Sequence, residues 1–183
     1  MDTRIEQSNK LLYKYGLLEK LNQYGTAYLT GSYQMNLMTW NDLDIYVDNE
    51  FISLKIIYKI VKYIIDTFHP TWFEARQDVS DDNTCYFVGF ETEILGELWN
   101  TDIRFITKSD IIKNKNYCDN IIEKTNRDSN LRNAILTIKT DLRSKGEYGF
   151  SKSYISMDVY DAVINFNVHN TSDFVEWYKN IHK

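Results

Sequence analysis

Two aspartates, Asp42 and Asp44, are the first residues whose type and spacing indicate chemistry. They lie in the stretch 42–47, DLDIYV, where polar and apolar residues alternate as they do on a half-buried strand. Because side chains alternate between the faces of a strand, both carboxylates share one face. Two acids that close repel each other unless a cation, a proton or an arginine lies between them, and oxygen ligands suit magnesium. The alternative is an exposed strand with two solvated aspartates.

A glycine and a serine, Gly31 and Ser32, precede the acidic strand and follow the short apolar run 27–29. Glycine can take the backbone conformation of a tight turn, and serine is a good N-cap. The amide groups after Ser32 would open a short helix or turn over residues 33–38 toward an anion. The pattern therefore predicts a phosphate site that faces a metal site.

The order of these features resembles the signature of the polymerase-beta-like nucleotidyltransferase superfamily, and above all its small antibiotic-modifying and protein-modifying members. The order is an apolar strand, Gly31-Ser32, the intervening residues 33–41, and then Asp42 and Asp44 in a second strand. The resemblance implies that Gly31 and Ser32 hold a nucleoside triphosphate and that the two aspartates bind magnesium.

A third acid is expected on a later strand. In the stretch 97–107, Asp102 lies on the same face as Asn100 and Arg104, because these residues alternate with apolar ones. The resemblance implies a third carboxylate in such a setting, and Asp102 is the best match, with Glu91 and Glu93 as poorer ones. It also implies two Mg²⁺ ions held by Asp42, Asp44 and Asp102, which makes these three the predicted catalytic and metal-binding residues.

The elements that must position these residues follow from periodicity. Strands are predicted at 26–30, 42–47, 71–77, 84–93 and 97–107, with a polar turn at 78–83, and helices at 2–22 and 51–68. The second helix should end at His69, because the residue before proline avoids the helical conformation. The predicted fold class is α/β: a small mixed β-sheet of about five strands flanked by helices, followed by a helical C-terminal segment. This is the nucleotidyltransferase fold that the resemblance implies.

The pattern after Lys108 is helical. Helix starts are predicted at Ser109-Asp110 and Asp128-Ser129, and two further helices at 153–167 and 172–181. We therefore predict a catalytic core at 1–108 and a helical segment at 109–183 that packs on it. On the helix that starts near residue 129, the spacing of Arg132, Lys139 and Arg143 places them on one face. That face either binds the triphosphate, with Lys139 and Arg143 as nucleotide-binding residues, or is only solvated.

Composition limits the classes of partner. The net charge of -5 argues against tight non-specific binding to nucleic acid, which depends on neutralising phosphates. The apolar stretch 51–65 is interrupted by lysines, and the first residues lack a signal-peptide pattern, so we expect no membrane association and a cytoplasmic location. Cys85 and Cys118 fit neither a disulfide framework nor a zinc pattern. The oligomeric state is left open.

The predicted function is magnesium-dependent transfer of a nucleoside monophosphate from a triphosphate, with ATP as the first choice, to an acceptor hydroxyl. The first choice of acceptor is a small molecule such as an aminoglycoside or lincosamide, and the second is a side chain of a partner protein, as in antitoxin-like members. A nucleic-acid acceptor ranks lower, because the sequence shows no basic groove interleaved with aromatic residues. The alternative from another class is a non-catalytic nucleotide-binding or protein-binding module that retains the fold.

Overall fold

The computed structural model describes residues 3–80, 83–149 and 151–182. Its helices are α1 (Thr3–Asn9), α2 (Leu17–Asn22), α3 (Gly31–Gln34), α4 (Leu54–Phe68), α5 (Lys108–Arg127), α6 (Ser129–Ser144), α7 (Ser156–Phe166) and α8 (Thr171–Ile181), with a π-helical turn at Lys10–Lys14. Its strands are β1 (Thr26–Thr30), β2 (Asp42–Asp48), β3 (Trp72–Ser80), β4 (Asn83–Ile94) and β5 (Glu97–Ile106). None of the helices in the described part of the chain has the length and apolar character needed to cross a membrane.

The five strands form one mixed sheet in the order β1-β2-β5-β4-β3. β1 pairs with β2 antiparallel, β2 pairs with β5 parallel, and β4 is antiparallel to both β5 and β3. The parallel pair is joined by a long crossover that contains α4, β3 and β4, whereas the antiparallel pairs need only short connections. The predicted α/β fold class, with a small mixed sheet of five strands, is confirmed.

The alternation of β2 has the predicted effect. Leu43, Ile45 and Val47 are fully buried, while Asp42 and Asp44 point to the opposite face and remain partly accessible. Because a strand side chain that faces the core must be apolar, the two acids can occupy only the other face. The register of the whole sheet therefore determines what lies beside them.

By its internal contacts the chain divides into two compact units. The first comprises the chain up to Gln34 together with Trp40–Asn116, and contains the sheet. The second comprises the short segment Met35–Thr39 and the chain from Tyr117, and contains α6, α7 and α8, which pack on one another. Helix α5 begins in the first unit and ends in the second. The predicted domains, with their boundary between residues 108 and 109, stay a prediction.

Two predicted helices differ from the observed ones at their starts or in their interior. The helix expected at 2–22 is divided, because the π-helical turn is followed by Gly16 in a left-handed conformation with φ of 74°. Helix α4 begins at Leu54, not at residue 51, and Phe51 is 88% exposed. It ends at Phe68, as the following proline predicts. His69 itself takes the left-handed conformation, whereas a residue before proline usually takes an extended one.

Strands β3 and β4 are longer than expected. The polar turn predicted at 78–83 is largely absent, because β3 continues to Ser80 and β4 already begins at Asn83. Residues 81 and 82 lie outside the described part of the chain. Cross-strand pairing extends the hairpin beyond the point where local polarity predicts a turn.

Candidate functional site

The three candidate acids lie on two adjacent parallel strands. Asp44 is directly opposite Asp102, and Asp42 is directly opposite Asn100. Opposite positions on neighbouring strands are about 5 Å apart and point to the same face, so Asp42, Asp44 and Asp102 form one group on the surface of the sheet. Of the poorer candidates, Glu91 is opposite Asn100 on the next strand, and Glu93 is exposed opposite Leu98. The expected position of Asp102 beside the Asp42-x-Asp44 strand is confirmed.

Asn100 connects two of the acids. Its side-chain amide donates a hydrogen bond of 2.8 Å to Asp42 Oδ1 and one of 3.2 Å to Asp102 Oδ1. An amide is a neutral donor, so it orients both carboxylates without neutralising them. Sequence reasoning placed Asn100 on this face but assigned it no role. Its role beside Asp102 could have been predicted, because the asparagine precedes Asp102 by two positions on the same strand and therefore lies next to it on the same face.

The carboxyl of Asp102 is held in an unfavourable environment for its charge. Burial, and secondly repulsion by Asp42, raise its pKa from 3.8 to about 6, although the hydrogen bond from Asn100 and the charges of Arg104 and Arg76 act in the opposite direction. A carboxylate that is both desolvated and beside another acid favours a proton or a cation. Such perturbed groups are concentrated at functional sites.

This pKa predicts a pH dependence of stability for the metal-free protein. Since the folded state keeps the Asp102 proton up to about pH 6, whereas an unfolded aspartate loses it near 3.8, the folded state binds more protons in this window. The free energy of unfolding should therefore fall as the pH rises from 4 to 6, by about 3 kcal/mol. Denaturant unfolding of wild type and Asp102→Asn across this range measures the effect. The variant should be the more stable protein at pH 7, and equal pH profiles for the two proteins would contradict the expectation.

The turn before the acids is tightly packed against one of them. Gly31 has a φ of 64°, and a Cβ atom at this position would lie 2.0 Å from Asp44 Oδ2. Ser32 is buried in the short helix α3, which starts directly after β1, and Thr30 at the end of β1 is opposite Asp44. Glycine is therefore required here twice, by its backbone conformation and by the contact with Asp44. The structure brings Gly31 and Ser32 to the acids, as the motif predicts.

Replacing Gly31 by alanine should displace Asp44. Backbone strain alone should lower the free energy of unfolding by about 1–3 kcal/mol. Gly96→Ala is the matched control, because Gly96 has a φ of 82° but no atom within 4 Å of an added Cβ. Both variants should lose stability in denaturant unfolding, and only Gly31→Ala should also lose Mg-ATP affinity, on the order of tenfold or more, since a change of about 1.4 kcal/mol corresponds to tenfold. Equal Mg-ATP affinity in the two variants would show that the Gly31 contact does not matter to the site.

The donor set fits magnesium in its chemistry. All three acids offer carboxylate oxygens, which magnesium prefers, and burial, followed by repulsion from Asp42, disfavours an uncompensated charge on Asp102 and raises its pKa. In the described residues, however, no group of three or more histidine, cysteine, aspartate or glutamate side chains lies so that it could hold a metal ion. Asp44 is turned toward Gly31, and Asp42 and Asp102 are turned toward Asn100. Side-chain rotation on fixed strands would have to bring the oxygens together.

The two cationic candidates do not share one solvated face. Lys139 is fully buried in the second unit, where its ammonium donates to the Leu37 carbonyl at 2.7 Å and to the Tyr160 hydroxyl at 3.1 Å. Arg143 is exposed at the end of α6. Of the two alternatives for that face, the solvated one is therefore wrong for Lys139, because its side chain lies within the apolar stripe of the helix. The residues of that stripe are Ala134, Ile135, Ile138, Lys139 and Leu142. A triphosphate role for Lys139 and Arg143 stays a prediction.

Comparison with solved structures places the fold among nucleotidyltransferases. The chain is similar to the Cid1 poly(U) polymerase, solved with magnesium and 3′-dATP, at 16% identity and a TM-score of 0.57, over 80% of this chain and 44% of that one. It is also similar to the non-canonical poly(A) polymerase GLD-2 in complex with GLD-3, at 14% identity and a TM-score of 0.66, over 91% of this chain and 53% of that one. The chain thus spans about half the length of these structures.

No protein-family profile matches the sequence, and no curated protein matches it. The structural similarity shows that the chain has the fold of polymerase-beta-like nucleotidyltransferases, and the resemblance indicated by its motif is confirmed at that level.

Proposed function

We propose that this protein transfers a nucleoside monophosphate from a magnesium-bound triphosphate, with ATP as the first choice, to an acceptor hydroxyl. The observation that carries the proposal is the contact between the two halves of the motif: the Gly31 turn packs directly on Asp44, which is opposite Asp102. Three acids and a glycine-serine turn on one face of a nucleotidyltransferase fold support this chemistry more than a structural role, because close packing of acids is costly without a ligand.

Each residue has a defined part in the proposed reaction. Asp42, Asp44 and Asp102 would hold two Mg²⁺ ions, and bound magnesium would neutralise charge on the α-phosphate and the pyrophosphate leaving group. Gly31 leaves room for the turn, and the buried Ser32 hydroxyl, with the amides after it, would orient the triphosphate. Asp102 would accept the proton of the acceptor hydroxyl while that oxygen bonds to the α-phosphorus and pyrophosphate leaves.

The charge of the sheet face supports a small cationic acceptor such as an aminoglycoside. Beyond the three candidate acids, the register places Glu74, Asp78 and Glu91 on the same face of the sheet. The two arginines on this face are already engaged: Arg76 pairs with Glu74 at 2.8 Å and Asp78 at 2.7 Å, and Arg104 pairs with Asp78 at 3.2 Å. A face on which acids outnumber bases attracts cations, whether Mg²⁺ or a cationic acceptor.

An RNA end is the second candidate acceptor. It is favoured by the similarity to Cid1, a poly(U) polymerase with UTP selectivity and RNA terminal uridylyl transferase activity. The charge of the sheet face opposes it, since nucleic-acid binding depends on neutralising phosphates. A side chain of a partner protein and a non-catalytic binding role remain the further alternatives.

One experiment separates these candidates. The protein is incubated with Mg²⁺ and each of the four α-labelled ribonucleoside triphosphates, together with aminoglycosides, lincosamides, a short RNA or a cell extract. Label transfer from ATP to an aminoglycoside is the expected result, and pyrophosphate release should accompany it. Elongation of the RNA, or labelling of a protein in the extract, would replace the proposed acceptor. If label were transferred from none of the four triphosphates to any acceptor, the proposal of nucleotidyl transfer would be wrong.

A further inference from the structure

The short segment Met35–Thr39 connects the two halves of the candidate site, yet it packs with the helical unit. It begins directly after α3, the helix of the Gly31-Ser32 turn, and ends shortly before Asp42 at the start of β2. Met35 is 4% exposed and Leu37 is fully buried, so the segment belongs to the core of the second unit. Since the chain is continuous, a constraint on this segment also acts on the residues that precede and follow it.

The buried ammonium of Lys139 holds this segment by its backbone. It donates to the Leu37 carbonyl at 2.7 Å, and the Tyr160 hydroxyl at 3.1 Å is a second partner. The ammonium also lies 5.2 Å from the ring centroid of Tyr160 and 6.0 Å from that of Tyr148. A fully buried cation is costly unless hydrogen bonds and ring faces compensate for lost water. A leucine or methionine would fill the same stripe of α6 without that cost, so the charge is explained by its partners.

A second cation from the same helix binds the neighbouring carbonyl. Arg132 Nη2 donates to the Asn36 carbonyl at 3.1 Å. Arg132 precedes Lys139 by two helical turns, so both side chains leave α6 toward the same side. Asn36 has a φ of 55°, a left-handed conformation that residues other than glycine seldom adopt. Two charged donors thus bind successive carbonyls of the segment, at Asn36 and Leu37.

We propose that Lys139 and Arg132 are positioning residues: by holding the carbonyls of residues 36 and 37 they order the connection between the Gly31-Ser32 turn and Asp42. This inference rests on the proposed function, because it assigns the connection between the two halves of the motif a part in that function. It differs from the earlier expectation that Lys139 binds the triphosphate, since here the ammonium acts on the protein backbone.

The test uses four variants of the full chain. Lys139→Met and Arg132→Met each remove one donor, Arg132→Lys keeps a donor, and Lys179→Met is the matched control because Lys179 is exposed on α8. Three quantities are measured in each: hydrogen exchange of the amides of residues 35–41, affinity for Mn²⁺ alone, and affinity for Mg-ATP. Mn²⁺ serves as a spectroscopically visible probe of the acids without nucleotide.

We expect faster amide exchange in residues 35–41 and weaker Mn²⁺ binding in Lys139→Met, with about tenfold weaker Mg-ATP binding, as expected from losing one charged hydrogen bond. In Arg132→Met the Mg-ATP affinity should fall by about threefold, because the Arg132 side chain is more accessible to water than that of Lys139. Arg132→Lys and Lys179→Met should resemble wild type. Arg132→Met decides the test if Lys139→Met does not fold.

Two outcomes overturn the inference while leaving the proposed function intact. Unchanged Mn²⁺ affinity with a loss confined to Mg-ATP would show that Lys139 contacts the triphosphate directly. Wild-type affinities in both Lys139→Met and Arg132→Met would show that the site does not depend on these two hydrogen bonds to the segment. By contrast, a wild-type protein that binds neither Mn²⁺ nor Mg-ATP would refute the proposed function and, with it, this inference.

Discussion

An Asp102→Asn protein is expected to bind Mg-ATP nearly as well as wild type while its single-turnover transfer rate falls by about 10²–10³-fold, the cost of removing one transition-state contact. Asp42 and Asp44 share strand β2, on which the Gly31 turn packs, and would hold the metal that accompanies the triphosphate. Asp102 comes from the neighbouring strand and would act only when the acceptor is also present. Its loss should therefore affect the transition state and not the bound substrate.

The measurement is Mg-ATP affinity beside single-turnover rate. Glu93→Gln is the matched control, because Glu93 is an exposed carboxylate on the adjacent strand β4. The control should retain the wild-type rate. A wild-type transfer rate in Asp102→Asn, or loss of transfer in Glu93→Gln, would show that the third carboxylate has been assigned to the wrong residue. Because the substitution also removes a buried charge, a stable variant with a low rate would exclude misfolding as the cause.

The second large effect concerns the metal. Asp44→Asn should lower Mg²⁺-dependent ATP affinity by at least about 100-fold, since the carboxylate oxygens are the ligands that magnesium requires. The fold should be retained, because the amide has nearly the same shape and Asp44 lies on the partly accessible face of β2.

Isothermal titration with and without Mg²⁺ measures this effect. Asp48→Asn is the matched control, as Asp48 lies on the same face of the same strand at its far end, opposite Thr26. The control should bind Mg-ATP like wild type. A folded Asp44→Asn protein with unchanged magnesium-dependent affinity would eliminate the proposed metal site, and equal losses in both variants would point to a general effect of charge.

The local sequence determined the parts of the site that depend on neighbours along the chain. Alternation in residues 42–47 was sufficient to place Asp42 and Asp44 on one face, because the apolar positions between them had to enter the core. The glycine before Ser32 predicted a turn, and Pro70 predicted the end of α4, since both act through backbone sterics within a few residues.

Long-range pairing decided the rest. Which strand lies beside β2, and that Asn100 bridges Asp42 and Asp102, depend on the β2–β5 register between residues far apart in sequence, which no local periodicity contains. Lys139 shows the same limit: helical spacing alone is compatible with a solvated cation, and only the carbonyl of Leu37, supplied by a distant segment, explains its burial. A buried charge is tolerated where the tertiary structure provides its partners. The sequence of the helix alone does not predict those partners, because they belong to other segments of the chain.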